Sequence, residues 1–261
     1  MIKINKLPVV SKNRLKKISF LKTKKGRKEE RKFIAEGLRL VKEGLESNYQ
    51  CEMIIATPEF INKHPGFTDL LNILTENVRV TDVKSFGKIT DTKNPQGIAA
   101  VFCSQPLYSQ TEFSGDKIVA LENISDPGNL GTVLRNCAWF GVEEVLLSEN
   151  SAEIYNPKVL RASMGAVFHL NISVSKKFYD ELKIFRNNSY SIVYTDLKGE
   201  SIFKFNAPEK IIIVFSNEAN GPSEELKNIS DKVITIPRLG RIESLNVASA
   251  SAVILAELTK D

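Results

Sequence analysis

Residues 117–149 read KIVALENISDPGNLGTVLRNCAWFGVEEVLLSE. An unbroken apolar run, KIVALEN, gives way to a Pro-Gly turn, then to NLGTVLRNCAWFG with helical spacing, then to a second apolar run, VEEVLLSE. Runs without polar alternation suit strands covered on both faces, and strand, helix and strand in succession mark a parallel pair. Downstream the alternation continues through PKVLRASMG (157–165), SIVYTDL (191–197), KIIIVFSNE (210–218) and a C-terminal helix. The fold class read from this half is α/β, a parallel sheet with flanking helices. Neither G-x-G-x-x-G nor G-x-x-x-x-G-K-[ST] occurs, so a nucleoside ligand would have to bind without the usual dinucleotide or P-loop turn.

Upstream the pattern differs. FIAEGLRLVKEGLE (33–46) predicts a helix, CEMIIATP (51–58) and ENVRVTDV (76–83) short strands, and NPQGIAAVF (94–102) a turn followed by a strand. These make a small α/β module. Residues 104–117 are polar, contain Pro and Gly and lack periodicity. The expected organisation is therefore an N-terminal domain over 1–105, a linker over 106–116 and a second domain over 117–261.

Charge separates the two halves. Residues 1–105 hold twenty Lys and Arg against eleven Asp and Glu, a balance of +9, while the remainder holds sixteen against twenty, a balance of −4. The basic excess peaks in SKNRLKKISFLKTKKGRKEERK (11–32), where Leu15, Ile18 and Leu21 are spaced for one face of a short helix. A solvated surface helix would account for that run, but the asymmetry along the chain points to a polyanion, whose condensed counterions Lys and Arg release. Candidate RNA-binding residues are Lys12, Arg14, Lys16, Lys17, Lys24, Lys25, Arg27 and Lys28.

Composition excludes several other chemistries. The 261 residues, 42% apolar, suffice for a sizeable core. The longest apolar runs, such as 211–215, are far too short to span a bilayer, and the N-terminus has no signal-peptide pattern. A cytoplasmic, membrane-free protein is the expectation. Cys51, Cys103 and Cys137 are odd in number and widely spaced, suggesting neither disulfides nor zinc, and with only His64 and His169 no metal is expected.

Three segments concentrate polar residues at strand ends. Glu122 to Gly131 (ENISDPGNLG) leads to Arg135 on the same expected helix, with Asn129 a candidate cap. The run 211–223 (IIIVFSNEANGPS) carries a strand into a turn with one acid, Glu218. The run 236–252 (IPRLGRIESLNVASASA) sets Ser244 and Asn246 ahead of a helix rich in Ala and Ser. Capping and ordinary loop roles would explain each segment taken singly.

Taken together, the P-x-N-x-G-x-x-x-R, N-E-x-x-G and I-P-x-x-G-x-x-x-S-L-N-V patterns resemble the SpoU/TrmH branch of the SPOUT methyltransferases. The F-x-x-E-G-x-R segment (33–39) and the NPQGIAAVF strand are similar to that family's substrate-binding domain. The resemblance implies a C-terminal domain knotted as a deep trefoil, a homodimer, and S-adenosyl-L-methionine-dependent 2′-O-methylation of a ribose in structured RNA. It favours 23S ribosomal RNA. A transfer RNA substrate and a non-catalytic RNA-binding or ribosome assembly factor are the alternatives. By motif, the catalytic constellation is Asn129, Arg135, Glu218, Ser244 and Asn246. Cofactor contacts fall at Ser216, Asn217, Gly221, Ile236, Leu239, Leu245 and Asn246. Ser216 stands where the family commonly has glycine, and Asn220 where an acidic or small residue is usual. The resemblance places Arg135 closest to the reacting hydroxyl; because a guanidinium suits orientation better than proton abstraction, the expectation is that Arg135 orients a phosphate or the developing alkoxide, with Glu218 and Asn129 fixing its fork.

Overall fold

Ser11 and Thr23 each accept a hydrogen bond from the backbone amide three residues on, Arg14 N at 3.3 Å and Gly26 N at 3.0 Å. They start helices α1 (Lys12–Phe20) and α2 (Lys24–Glu30), so the basic run is two short helices. The computed structural model describes residues 7–66, 77–107 and 113–260. Of the expected linker, residues 108–112 lie outside the described residues.

The helix expected over 33–46 is only half helix. Lys32–Glu36 forms strand β1, with Phe33, Ile34 and Ala35 buried. Helix α3 (Leu38–Leu45) begins after Gly37, whose φ of +96° is disfavoured for any residue with a Cβ. The side chain of Gln96 accepts from the Leu38 amide at 2.9 Å, serving the new helix end. Strands β2 (Cys51–Ala56), β3 (Val78–Val80) and β4 (Ile98–Cys103) complete a mixed sheet in the order β1-β4-β2-β3. Helices α4 (Pro58–Lys63) and α5 (Val83–Ile89) complete the module, and Ile18, Leu21, Met53, Ile55, Phe86 and Val101 share its core.

In the second half β5 (Lys117–Glu122), α6 (Pro127–Trp139) and β6 (Glu144–Ser148) follow the opening reading. After helix α7 (Pro157–Ser163) come β7 (Asn171–Ser175), α8 (Phe178–Asn187), β8 (Ser191–Ser201), β9 (Ile211–Ser216), α9 (Glu224–Ile229), β10 (Lys232–Thr235) and α10 (Val247–Leu258). The six strands are all parallel, in the order β10-β8-β9-β5-β6-β7. The central strands β5 and β9 are buried almost throughout, as coverage of both faces requires. From β5 the strand order runs outward in both directions, and ligands of such sheets bind at the carboxyl ends where the order reverses. Gly199 meets a different demand: a Cβ there would lie 2.8 Å from the Val233 carbonyl oxygen, where β10 shifts register against β8.

The chain divides into two compact units, Met1–Gln105 with Tyr155–Phe168, and Pro106–Ile154 with His169–Asp261. The expected boundary placed all of 117–261 together, but Tyr155–Phe168 groups with the first unit. Tyr155 stacks on Phe33 at 4.4 Å and Phe168 meets Tyr49 edge-on at 5.1 Å, aromatic burial that the first unit's own residues provide.

Candidate active site

Three turns at the carboxyl edge of the second sheet converge on one hydrogen-bonded chain. Asp126, and not Asn129, caps α6, accepting from the Asn129 amide at 2.9 Å. That leaves the Asn129 side chain available. Its Nδ2 donates to Glu218 Oε1 at 3.0 Å, and its Oδ1 accepts from Asn246 Nδ2 at 3.0 Å. Glu218 Oε1 also accepts from the Val247 amide at 2.7 Å, at the first turn of α10, where a carboxylate is favourable. Asn246 caps the same helix through Oδ1, which accepts from the Ala248 amide at 2.9 Å. Asn217 anchors the turn after β9, donating to the Asn123 carbonyl at 2.9 Å and to Ser125 Oγ at 3.2 Å.

The remaining two expected catalytic residues sit differently. Ser244 is exposed in the loop before α10. Arg135 is exposed on α6 and, among the described residues, has no hydrogen-bond or ion-pair partner. Glu218 and Asn129 hold each other and α10, so the expected clamp on the Arg135 fork is not made.

Beside this chain lies a cleft of about 420 Å³. Ser216, Asn217, Gly221, Ile236, Leu239 and Leu245 line it, as do Glu218 and Ser244, while Asn246 stands next to it at the helix cap. Apolar walls come from Ile234, Ile236, Ala250 and Ile254, with backbone-rich turns at the mouth, a combination that suits a nucleoside-sized ligand. Ala250 falls within the 236–252 segment, but the motifs did not indicate Thr195, Asp196 and Leu197 of β8, or Ile254 of α10. Only the position of Thr195, near the end of an apolar run, could have hinted at them.

In the first unit Lys12, Lys16, Lys17, Lys24, Lys25 and Lys28 are exposed. Arg14 is exposed too but pairs with Glu52 at 3.2 Å, and Lys32 meets the same carboxylate at 2.6 Å. Arg27 corrects the expectation. It is buried, and its Nη1 donates to the Leu21 and Lys22 carbonyls at 3.0 and 2.9 Å, so it closes the α1–α2 corner and presents no charge to a ligand.

Cys51 and Cys137 are not poised as nucleophiles. Burial pushes Cys51 up to about 11 and Cys137 to about 12. Among the described residues no three His, Cys, Asp or Glu side chains gather as a metal site, and no helix is long and apolar enough to cross a membrane.

Residues 116–256 match the model of the SpoU rRNA Methylase family. The chain belongs to that family. Residues 12–100 match the MRM3-like substrate binding domain, so the first unit carries the module that accompanies this SpoU chain's catalytic half. A SpoU relative from Bacillus subtilis, the 23S rRNA (guanosine(2553)-2′-O)-methyltransferase RlmP, is 29% identical over 242 residues, covering 91% of this chain and 92% of its own. An RNA methyltransferase of the TrmH family from Porphyromonas gingivalis superposes with a TM-score of 0.82 at 32% identity, over 95% of this chain and 98% of that one. An AdoMet-bound rRNA methyltransferase from Sinorhizobium meliloti gives 0.81 at 26% identity, over 96% and 95%. This SpoU protein is an RNA 2′-O-ribose methyltransferase, and its cofactor is S-adenosylmethionine.

Proposed function

We propose that this chain methylates a ribose of 23S ribosomal RNA, working as a homodimer, with the cofactor in the cleft beside Glu218. The likeness to the Bacillus subtilis enzyme, end to end in both chains, is the observation that carries the choice of RNA. Exposed Trp139 on α6 and Val253 on α10 support the dimer. The two helices pack on each other and are tied by Asn136 Nδ2, which donates to the Ala248 carbonyl at 2.8 Å, so both exposed apolar side chains belong to one packed helix pair. The knotted threading of the C-terminal segment belongs to the same reading.

S-adenosylmethionine supplies an electrophilic methyl group. The chain's own task is to bring a 2′-oxygen in line with that methyl and to handle the proton the oxygen loses. Glu218, shared by Asn129 and the Val247 amide, fixes the turn that borders the cleft, and Asn246 closes the chain from the other side. Ser244 shapes the rim. Arg135, without a hydrogen-bond or ion-pair partner among the described residues, orients a phosphate or the developing alkoxide with its planar fork. The exposed lysines of α1 and α2 hold flanking RNA. The test is methyl transfer to 23S ribosomal RNA and transfer RNA transcripts in parallel: transfer confined to the 23S transcript supports the reading, and transfer confined to transfer RNA overturns it.

A further inference from the structure

Glu122, the last residue of β5, is 1% exposed, and no Lys, Arg or His pairs with it among the described residues. A carboxylate out of water needs compensating donors. It has four. Tyr179 Oη donates to Oε1 at 2.6 Å and Ser223 Oγ to the same oxygen at 2.5 Å, while Ser216 Oγ donates to Oε2 at 2.7 Å and the Ser223 amide approaches it at 3.3 Å.

Two of these partners are the ends of a single turn. Ser216 closes β9 and is the register neighbour of Glu122 across the β5–β9 pair. Ser223 caps α9, accepting from the Leu226 amide at 3.1 Å. Between them lie Asn217, Glu218, Gly221 and Pro222, all lining the 420 Å³ cleft. Tyr179 reaches the same carboxylate from α8 and lines a different, polar cleft with Asn123 and Lys177.

We propose that Glu122 is a positioning residue for the cofactor: its carboxylate staples both ends of the 216–223 turn, so the Tyr179 hydroxyl sets S-adenosylmethionine affinity from outside the cofactor cleft. This rests on the placement of the cofactor proposed above. Removing the Tyr179 donor from the shared buried carboxylate loosens the turn without touching a residue of the cleft. Only part of the roughly 10- to 150-fold that a hydrogen bond to a charged group contributes reaches the cofactor, about 3–10-fold in binding.

The experiment is calorimetric titration of the full chain with S-adenosylmethionine for wild type, Tyr179→Phe, Ser216→Ala and Ala250→Trp, each checked by thermal melting. Leu245→Asp replaces Ala250→Trp if the larger side chain overpacks α10. The staple predicts that Tyr179→Phe and Ser216→Ala each raise the Kd about 3–10-fold, and that Tyr179→Phe raises KM for the cofactor while leaving kcat within about twofold and KM for RNA unchanged. An unchanged Kd in Tyr179→Phe, with Ala250→Trp or Leu245→Asp abolishing binding, overturns the staple and leaves the cofactor placement standing, whatever Ser216→Ala does inside the cleft. Wild-type affinity in the cleft variant itself overturns the placement and this proposal with it.

Discussion

Asn129→Ala cuts the hydrogen-bonded chain. The substitution removes the Nδ2 bond to Glu218 and the Oδ1 bond from Asn246, both at 3.0 Å, yet keeps the Asn129 amide that Asp126 uses to cap α6. A bond to a charged acceptor contributes about 1.5–3 kcal/mol and a neutral one about 0.5–1.5. Both bonds here are near solvent, so their combined loss should sit at about 2–3 kcal/mol, or about 30- to 150-fold in rate if both are needed in the transition state. Initial rates with labelled S-adenosylmethionine and an RNA transcript, at saturating and limiting cofactor, separate kcat from KM. The expected result is a fall in kcat/KM of that size in a protein that still melts cooperatively, its melting temperature lowered by about 4–12 °C because the same two bonds also hold the resting fold. A rate within threefold of wild type refutes the claim that this chain of side chains serves the reaction.

Other outcomes follow from single features. Arg135→Lys keeps the charge and loses the fork, and should cost roughly 10- to 100-fold in methyl transfer; a normal rate contradicts an orienting role that depends on bidentate geometry. Replacing Lys16, Lys17, Lys24 and Lys28 with Gln should weaken RNA binding uniformly and flatten its dependence on log salt by about 0.7–0.9 per lost phosphate contact, and an unaltered slope shows that these lysines do not meet RNA. Tyr179, raised from 10.0 to about 12 by burial and by the Glu122 carboxylate, should ionise well above the ordinary tyrosine range in an ultraviolet titration that compares wild type with Tyr179→Phe. Because its folded value lies above the unfolded one, its contribution to stability is complete below about pH 10 and is lost as pH rises toward about 12; Tyr179→Phe should remove that part of the alkaline decline.

Strands such as β5 and β9 were legible because burial on both faces writes itself as uninterrupted Ile, Val and Leu. β7, NISVS, has only Ile172 and Val174 to announce it, and the short α9 offers little periodicity. β1 was misread for a physical reason: the apolar spacing of α3 runs backward without a break into Phe33 and Ile34, and only the positive φ of Gly37 separates the two. Among the site residues, Asn129, Glu218 and Asn246 were legible as types in a pattern. Their mutual bonds were not, since they span 89 and 117 residues and depend on strand order. Strand order also hides the contribution of Thr195 and Ile254 to the cleft. Arg27 shows the opposite failure: nothing in a basic run says which cation will turn inward to satisfy the carbonyls of Leu21 and Lys22.

The most direct measurement is the identity of the methylated product. Purified protein is incubated with labelled S-adenosylmethionine and unmodified 23S ribosomal RNA, and the RNA is hydrolysed in alkali. Methylation of a ribose blocks cleavage at the neighbouring phosphate, so the label should appear in an alkali-resistant dinucleotide whose nucleoside carries a 2′-O-methyl group, and it should fall sharply with Asn129→Ala. Label in a base-methylated mononucleotide, or no label in any RNA despite stoichiometric cofactor binding, would contradict the account.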